Sequence, residues 1–168
     1  MCCLFFRNCC RCCGQRPVPP APPTPTPPRP SLPIINVGAR FNLLSSSEVA
    51  GGSAIPLTNT VFNNAGSYIV NNNGAIALAG EGLYLVNYSV TATNNTEDTA
   101  SFLVNLNVNG AVDSSASAPG IIPSGESGIV SNSTLVYVPQ NSTTNVSLSV
   151  TSEQTLSYLP NVVVTKLS

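Results

Sequence analysis

The chain has 168 residues, enough for one domain of ordinary size, and only 8% of its residues are charged. The charges are segregated: residues 1–33 hold four arginines and no acid, whereas all seven acids lie between Arg40 and Lys166. The region that holds the acids lacks the Lys/Arg surface that phosphate contacts need, which argues against nucleic-acid binding.

The chain has no histidine, so the usual general base at neutral pH is missing. An enzyme is therefore the least favoured class, and we expect no catalytic residue and no cofactor.

Residues 1–16 form a cysteine-rich tip. It holds all six cysteines of the chain: Cys2, Cys3, Cys9, Cys10, Cys12 and Cys13. Adjacent cysteines rarely bond each other because the small ring is strained, so the three Cys-Cys pairs predict disulfide cross-links to other chains.

Two other interpretations of the tip stay open. Cysteine pairs beside Leu4, Phe5 and Phe6, with arginines nearby, also resemble palmitoylated anchors, the one route by which we expect membrane contact. The C-x-x-C spacing suits a metal site, but a closed site needs further ligands that another copy has to supply, and we assign no metal. Because we favour cross-linking between chains, we treat residues 1–16 as a connector to another copy. We expect Leu4, Phe5 and Phe6 to be the apolar residues through which this connector docks.

Residues 17–33 are a proline-rich stalk. Proline fixes φ, removes the backbone donor and pushes the preceding residue towards extended geometry, so the segment is predicted to be polyproline II. Leu4–Phe6 is too short for the apolar core of a secretory signal, and no run reaches the ~20 apolar residues of a transmembrane helix. We therefore expect a protein that is made without a signal peptide.

Residues 34–168 alternate between apolar and polar positions with a period of two. In the strand that begins at Leu83, one face is predicted to enter the core; it consists of Tyr84, Val86, Tyr88 and Val90. The opposite face begins with Leu83 and Leu85, two apolar side chains that indicate a buried contact between copies.

Turn-forming residues divide this region into short strands. Asn109-Gly110 predicts a tight hairpin, and Asn94-Asn95 and Pro119-Gly120 are also interpreted as turns. Eight to ten antiparallel strands without a helix predict an all-β jelly-roll sandwich, preceded by the extended proline-rich segment.

The segments GEGLYLVNYSVTATN, FLVNLNVNG, STLVYVP, NVSLSVTS and YLPNVVVTKLS, in this order, resemble one family. They are similar to the trimeric jelly roll of tumour necrosis factor and of the globular head of complement's first-component q. Within that group they look closest to the C-terminal domains of collagen-like glycoproteins on bacterial spores, and to subunits of spore appendages. The resemblance implies a homotrimer without catalytic residues, located on the outer surface of a spore. A collagen stalk is excluded here, because residues 16–36 contain no glycine.

Two functions from different classes fit these observations. In the first, the protein is a structural subunit that trimerises through the jelly roll and assembles head-to-tail through its N-terminal connector into a disulfide-linked fibre or layer. In the second, it is a stalked trimeric binding head, an adhesin that binds a surface or a glycan and is anchored by its cysteine-rich tail. In the first case the tail binds another copy of the same head, and in the second it binds a dissimilar base.

Overall fold

The computed structural model describes residues 37–72 and 74–168. The cysteine-rich tip, the stalk and the first residues of the expected domain lie outside the described residues. The described part contains twelve strands and one short 3-10 helix, Gly66–Tyr68. The strands are β1 Val37–Asn42, β2 Ser47–Val49, β3 Ala54–Ile55, β4 Asn59–Asn63, β5 Ile69–Asn72, β6 Ala75–Ala79, β7 Gly82–Thr93, β8 Ala100–Val108, β9 Ala111–Ile122, β10 Ser127–Val138, β11 Thr143–Ser152 and β12 Leu156–Lys166.

The strands form two antiparallel sheets that face each other as a jelly-roll sandwich. The first sheet has the order β10-β7-β12-β1-β4, with β2 also paired to β12. The second has the order β5-β6-β11-β8-β9, with β3 also paired to β11. The predicted all-β sandwich is therefore confirmed. Within the described residues, no helix is long and apolar enough to cross a membrane.

The core lies between the two sheets and follows the period of two. Along β7 every second side chain is buried, and Tyr84, Val86, Tyr88 and Val90 are all at most 3% exposed. The Tyr88 hydroxyl crosses the core to donate to the Ala116 carbonyl on the second sheet, at 2.7 Å. Apolar burial and bonds of this kind hold the two sheets together.

The number of strands exceeds the expected eight to ten. The difference comes from short strands such as β2 and β3, which have three and two residues and leave little periodicity to detect in the sequence. The prediction of a turn at Pro119-Gly120 was wrong, because both residues lie inside β9. Strand β9 is at the edge of its sheet, where a missing backbone N–H is tolerated. A side chain at Gly120 would collide with the ring of Phe102.

The register defines two ends of the sandwich, which we call the upper and lower ends. At the lower end β7 begins, and Val37, where the described chain starts, lies opposite Lys166 near the end of β12. At the upper end β7 finishes at Thr93, opposite Ser127 at the start of β10. The loops 94–99, 123–126 and 153–155 lie at this upper end. The two ends of the domain therefore differ: the described chain begins at the lower end, and these three loops lie at the upper end.

Candidate functional site: the outward face of the first sheet

The outward face of the first sheet consists of the side chains that alternate with the core residues. The antiparallel register places those of β10, β7 and β12 side by side in rows across the sheet. From the upper to the lower end, the rows are Ser127–Thr93–Ser157, Ile129–Thr91–Leu159, Ser131–Ser89–Asn161, Ser133–Asn87–Val163, Leu135–Leu85–Thr165 and Tyr137–Leu83–Leu167, the last of these continued by a backbone bond from Leu167 to Leu83. The face therefore has apolar side chains in its two lowest rows and in the second row from the top, with mainly polar side chains between them and in the top row.

The two lowest rows form an apolar cluster, the lower patch, made of Leu83, Leu85, Leu135, Tyr137 and Leu167. Leu83 and Leu85 are partly buried, whereas Leu135 is 57% and Tyr137 60% exposed. Adjacent large apolar side chains left in contact with water indicate a surface that is covered in the working molecule.

A polar belt crosses the middle of the face, made of Asn87, Ser89, Ser131, Ser133 and Asn161. The Arg40 guanidinium extends from β1 over this belt and donates through Nε to the Asn161 side-chain oxygen at 2.7 Å. The side chains of the belt are uncharged and Arg40 is the charge that lies over them, so electrostatic repulsion opposes close approach of a second copy only weakly.

A second apolar cluster, the upper patch, lies above the belt. It consists of Ile129, which is 72% exposed, and Leu159, which lie on either side of Thr91 in one row. Leu44 is also largely exposed, and it lies in the loop between β1 and β2, which runs beside Leu159 and Pro160. Those two residues of β12 have no paired residue on that side, which also explains how a proline fits inside a central strand.

A shallow groove of about 460 Å³ lies at the other edge of the same face. Its walls come from β1, β4 and β12 and include Val61, Phe62 and Val163. A bulge in the pairing of β1 with β4 leaves Val61 and Phe62 both about half exposed. The groove and the lower patch are thus two different apolar surfaces at opposite edges of one sheet, at similar height.

The end of the chain fixes the lower edge of the lower patch. Gly82 has φ of 151°, and a side chain there would collide with the backbone of Ser168. Leu167 donates its backbone N–H to the Leu83 carbonyl at 2.7 Å. The Lys166 ammonium lies 5.2 Å from the centre of the Tyr84 ring and donates to the Glu81 carbonyl at 2.7 Å. These contacts hold Leu83 and Leu167 side by side.

Asn94 organises the upper loops, and it was interpreted from the sequence only as part of a turn. Its side chain is fully buried, and its amide nitrogen donates to the carbonyls of Asp98, Ile122 and Pro123 at 2.7–3.2 Å. Its side-chain oxygen accepts the backbone N–H and the hydroxyl of Thr96. One side chain therefore ties loop 94–99 to loop 123–126, and only the fold reveals that these loops are neighbours.

The acids of the domain are concentrated at the upper end. Five of the seven lie on or beside the upper loops, and all five are exposed: Glu48, Glu97, Asp98, Glu126 and Glu153. The two basic residues of the described part, Arg40 and Lys166, lie at or below the belt. The upper end therefore has a negative potential, although the sheet face beneath it is nearly neutral.

The titrating groups of the core are tyrosines rather than catalytic carboxylates. Burial raises the pKa of Tyr88 to about 12 and that of Tyr158 to about 12. Burial also raises the pKa of Tyr84. Among the described residues, no group of three or more His, Cys, Asp or Glu side chains is placed to hold a metal ion.

The predicted site residues divide between the described and the undescribed parts of the chain. Leu83 and Leu85 lie in the lower patch beside Leu135 and Tyr137 of β10, two neighbours that the alternation within one strand does not predict. The four predicted core residues of β7 are buried. The predicted cross-linking residues Cys2, Cys3, Cys9, Cys10, Cys12 and Cys13 and the predicted docking residues Leu4, Phe5 and Phe6 lie outside the described residues.

Comparison with known proteins identifies the fold. No protein-family model matches the chain, and no curated protein matches it. Among solved structures, the globular domain of zebrafish complement 1qA matches with a TM-score of 0.57 at 8% identity, covering 76% of this chain and 94% of that one. Eiger TNF from S. frugiperda matches with a TM-score of 0.57 at 11% identity, covering 79% and 93%. Murine APRIL at pH 8.0 matches with a TM-score of 0.52 at 11% identity, covering 76% and 98%.

The domain therefore has the jelly-roll fold of complement 1qA heads and tumour necrosis factors. The predicted resemblance is confirmed at the level of the fold. At identities this low the likeness extends to the fold alone. The closer relationship to spore-surface proteins stays a prediction.

Proposed function

We propose that the protein is a structural subunit that trimerises through its jelly roll and assembles head-to-tail, through residues 1–16, into a fibre or layer on the surface of a spore. The cysteines of the tip cross-link the joints. The observation that carries the proposal is the outward face of the first sheet, which exposes large apolar side chains and carries little charge. A face of this composition suits contact with protein better than contact with a charged ligand.

The arrangement of this face supports a ring of copies. A closed trimer needs a heterologous interface, in which one surface of each copy meets a different surface of the next. The lower patch, at the β10 edge, and the groove beside Val61 and Phe62, at the β4 edge, are such a pair. A ring that joins them brings three tails, and so three sets of cysteines, to the same end of the assembly.

The trimer is tested by substituting Leu135, which is 57% exposed in the lower patch. Val112 is a matched control, because it is 56% exposed but lies on the second sheet. We expect Leu135→Ser to reduce the native mass from three chains to one at low micromolar concentration, and Val112→Ser to leave it unchanged. If the two variants had the same native mass, the lower patch would not be part of the interface between copies.

The fibre is tested by electron microscopy and non-reducing gels of the full chain and of a chain that begins at Ile34. We expect fibres and disulfide-linked ladders from the full chain, and discrete trimers from the shorter one. Discrete trimers from both chains under oxidising conditions would contradict assembly through the tail and favour the stalked binding head.

A further inference from the structure

The upper and lower patches lie on one sheet face, but the polar belt separates them. A typical protein interface has an apolar core inside a polar rim, and we take the two patches, separated by polar residues, as two separate contacts. The ring of copies under the proposed function covers the lower patch and the groove. The upper patch, with Ile129 at 72% exposed and Leu159 at 40% exposed, then has no occupant.

We propose that the upper patch of one copy receives Leu4, Phe5 and Phe6 of a copy in the next trimer. The inference rests on the proposed function, and it assigns the docking site of the connector. The three apolar side chains at the tip of the tail cover Ile129 and Leu159. The arginines that follow them lie against the carboxylates around the upper end.

Charge complementarity selects this occupant. Residues 1–33 contain four arginines and no acid, whereas the upper end of the domain presents five exposed carboxylates and, among the described residues, no basic side chain. Glu48 lies opposite Ser157, two residues before Leu159, and Glu126 lies three residues before Ile129, so both flank the upper patch. The lower end attracts a basic tail less, because Glu81 is accompanied there by Lys166. Opposite charges around an apolar centre favour both fast association and a fixed orientation.

The direction of the domain fits the same contact. The described chain begins at the lower end, since Val37 pairs with Lys166, and the upper patch lies near the opposite end. When two copies are stacked in the same orientation, the end at which the described chain of one copy begins faces the upper end of the other. If the stalk of 17 residues adopts the predicted polyproline II geometry, it spans about 50 Å. That length lets the tip reach the upper patch of the next copy across a gap between the two domains.

The test uses two isoleucines on either side of one turn. Ile129 and Ile121 are 72% and 76% exposed, but Ile129 points outward from the first sheet and Ile121 from the second. We expect Ile129→Ser in the full chain to weaken each docking contact about tenfold or more, and so to replace fibres by discrete trimers under oxidising conditions. Ile121→Ser should form fibres like the unmodified chain, and circular dichroism should show both variants folded.

A charge variant gives an independent measurement. Glu48→Gln together with Glu126→Gln should slow fibre growth and reduce its dependence on salt, since exposed pairs are screened at high ionic strength.

The outcomes separate the two proposals. Fibres from all chains, including Ile129→Ser, would overturn docking at the upper patch and leave the proposed function standing. Loss of fibres in both isoleucine variants would also overturn it, because the effect would not follow the patch. Discrete trimers from the unmodified chain would overturn the proposed function and the docking site together.

Discussion

Replacing Asn94 by aspartate should destabilise the domain far more than a change of one side-chain atom suggests. The substitution keeps the size and shape of the side chain but removes the NH₂ group that serves the carbonyls of Asp98, Ile122 and Pro123. Leaving buried carbonyls without a donor costs about 1–3 kcal/mol. The same substitution also places a carboxylate against three carbonyl oxygens in a fully buried position.

The charge contribution has an upper limit that follows from linkage. The new carboxyl can stay protonated in the folded state, and holding a group with an unfolded-state pKa of about 3.9 neutral at pH 7 costs about 4 kcal/mol. Its folded-state pKa is raised, so this loss is absent below the unfolded-state pKa and grows as pH rises. We therefore expect Asn94→Asp to lower the free energy of unfolding by roughly 3–6 kcal/mol at pH 7, but by only about 1–3 kcal/mol at pH 4.

Urea unfolding at both pH values, at one protein concentration and with reduced cysteines, measures this difference. Asn95→Asp is the control, since Asn95 is the exposed neighbour in the same loop. We expect that control to change the free energy of unfolding by less than about 0.5 kcal/mol. An Asn94→Asp variant as stable as the control at pH 7, or one whose loss is the same at pH 4, would refute the role given to this amide.

Three further predictions follow from the core and from the end of the chain. Tyr88→Phe should cost about 1–2 kcal/mol in urea unfolding, because it leaves the Ala116 carbonyl without its donor, whereas Tyr137→Phe at the exposed lower patch should cost almost nothing. The free energy of unfolding should fall as pH rises from about 10 to about 12, by about 1.4 kcal/mol per pH unit for each of Tyr88 and Tyr158. The reason is that these tyrosines ionise at lower pH in the unfolded chain than in the folded one. A melting temperature that stays constant over this pH range would contradict their burial. Gly82→Ala should lower the melting temperature by several degrees, since its side chain displaces the last residues of the chain; an unchanged melting temperature would show that this end is not held as described.

The sequence was sufficient to predict the features that arise within one strand or one turn. The alternation along β7 predicted which of its side chains share a face, because a strand has a side-chain period of two. The hairpin at Asn109-Gly110 is confirmed, with φ of 51° and 82° at its two central residues, a conformation that few residue types other than asparagine and glycine adopt readily.

The sequence did not predict the features that depend on which strands are neighbours in a sheet. Leu85 is 50 residues from Leu135 and 80 from Thr165, yet the three share one row of the sheet. Periodicity places a residue on a face but does not say which residues of other strands lie beside it. For the same reason the role of Asn94 was not predicted, since its carbonyl partners Ile122 and Pro123 are 28 and 29 residues away. Pro119-Gly120 was predicted to be a turn from its composition. Both residues instead lie in β9, an edge strand, where a proline is tolerated.

The most direct test of self-assembly is the native mass of the chain that begins at Ile34, measured in reducing buffer so that no disulfide contributes. We expect three times the mass of one chain at micromolar concentration, with the trimer lost in Leu135→Ser and kept in Val112→Ser. A single-chain mass at every concentration up to about 100 μM, where even weak contacts between copies are populated, would contradict an oligomer built on the outward face of the first sheet.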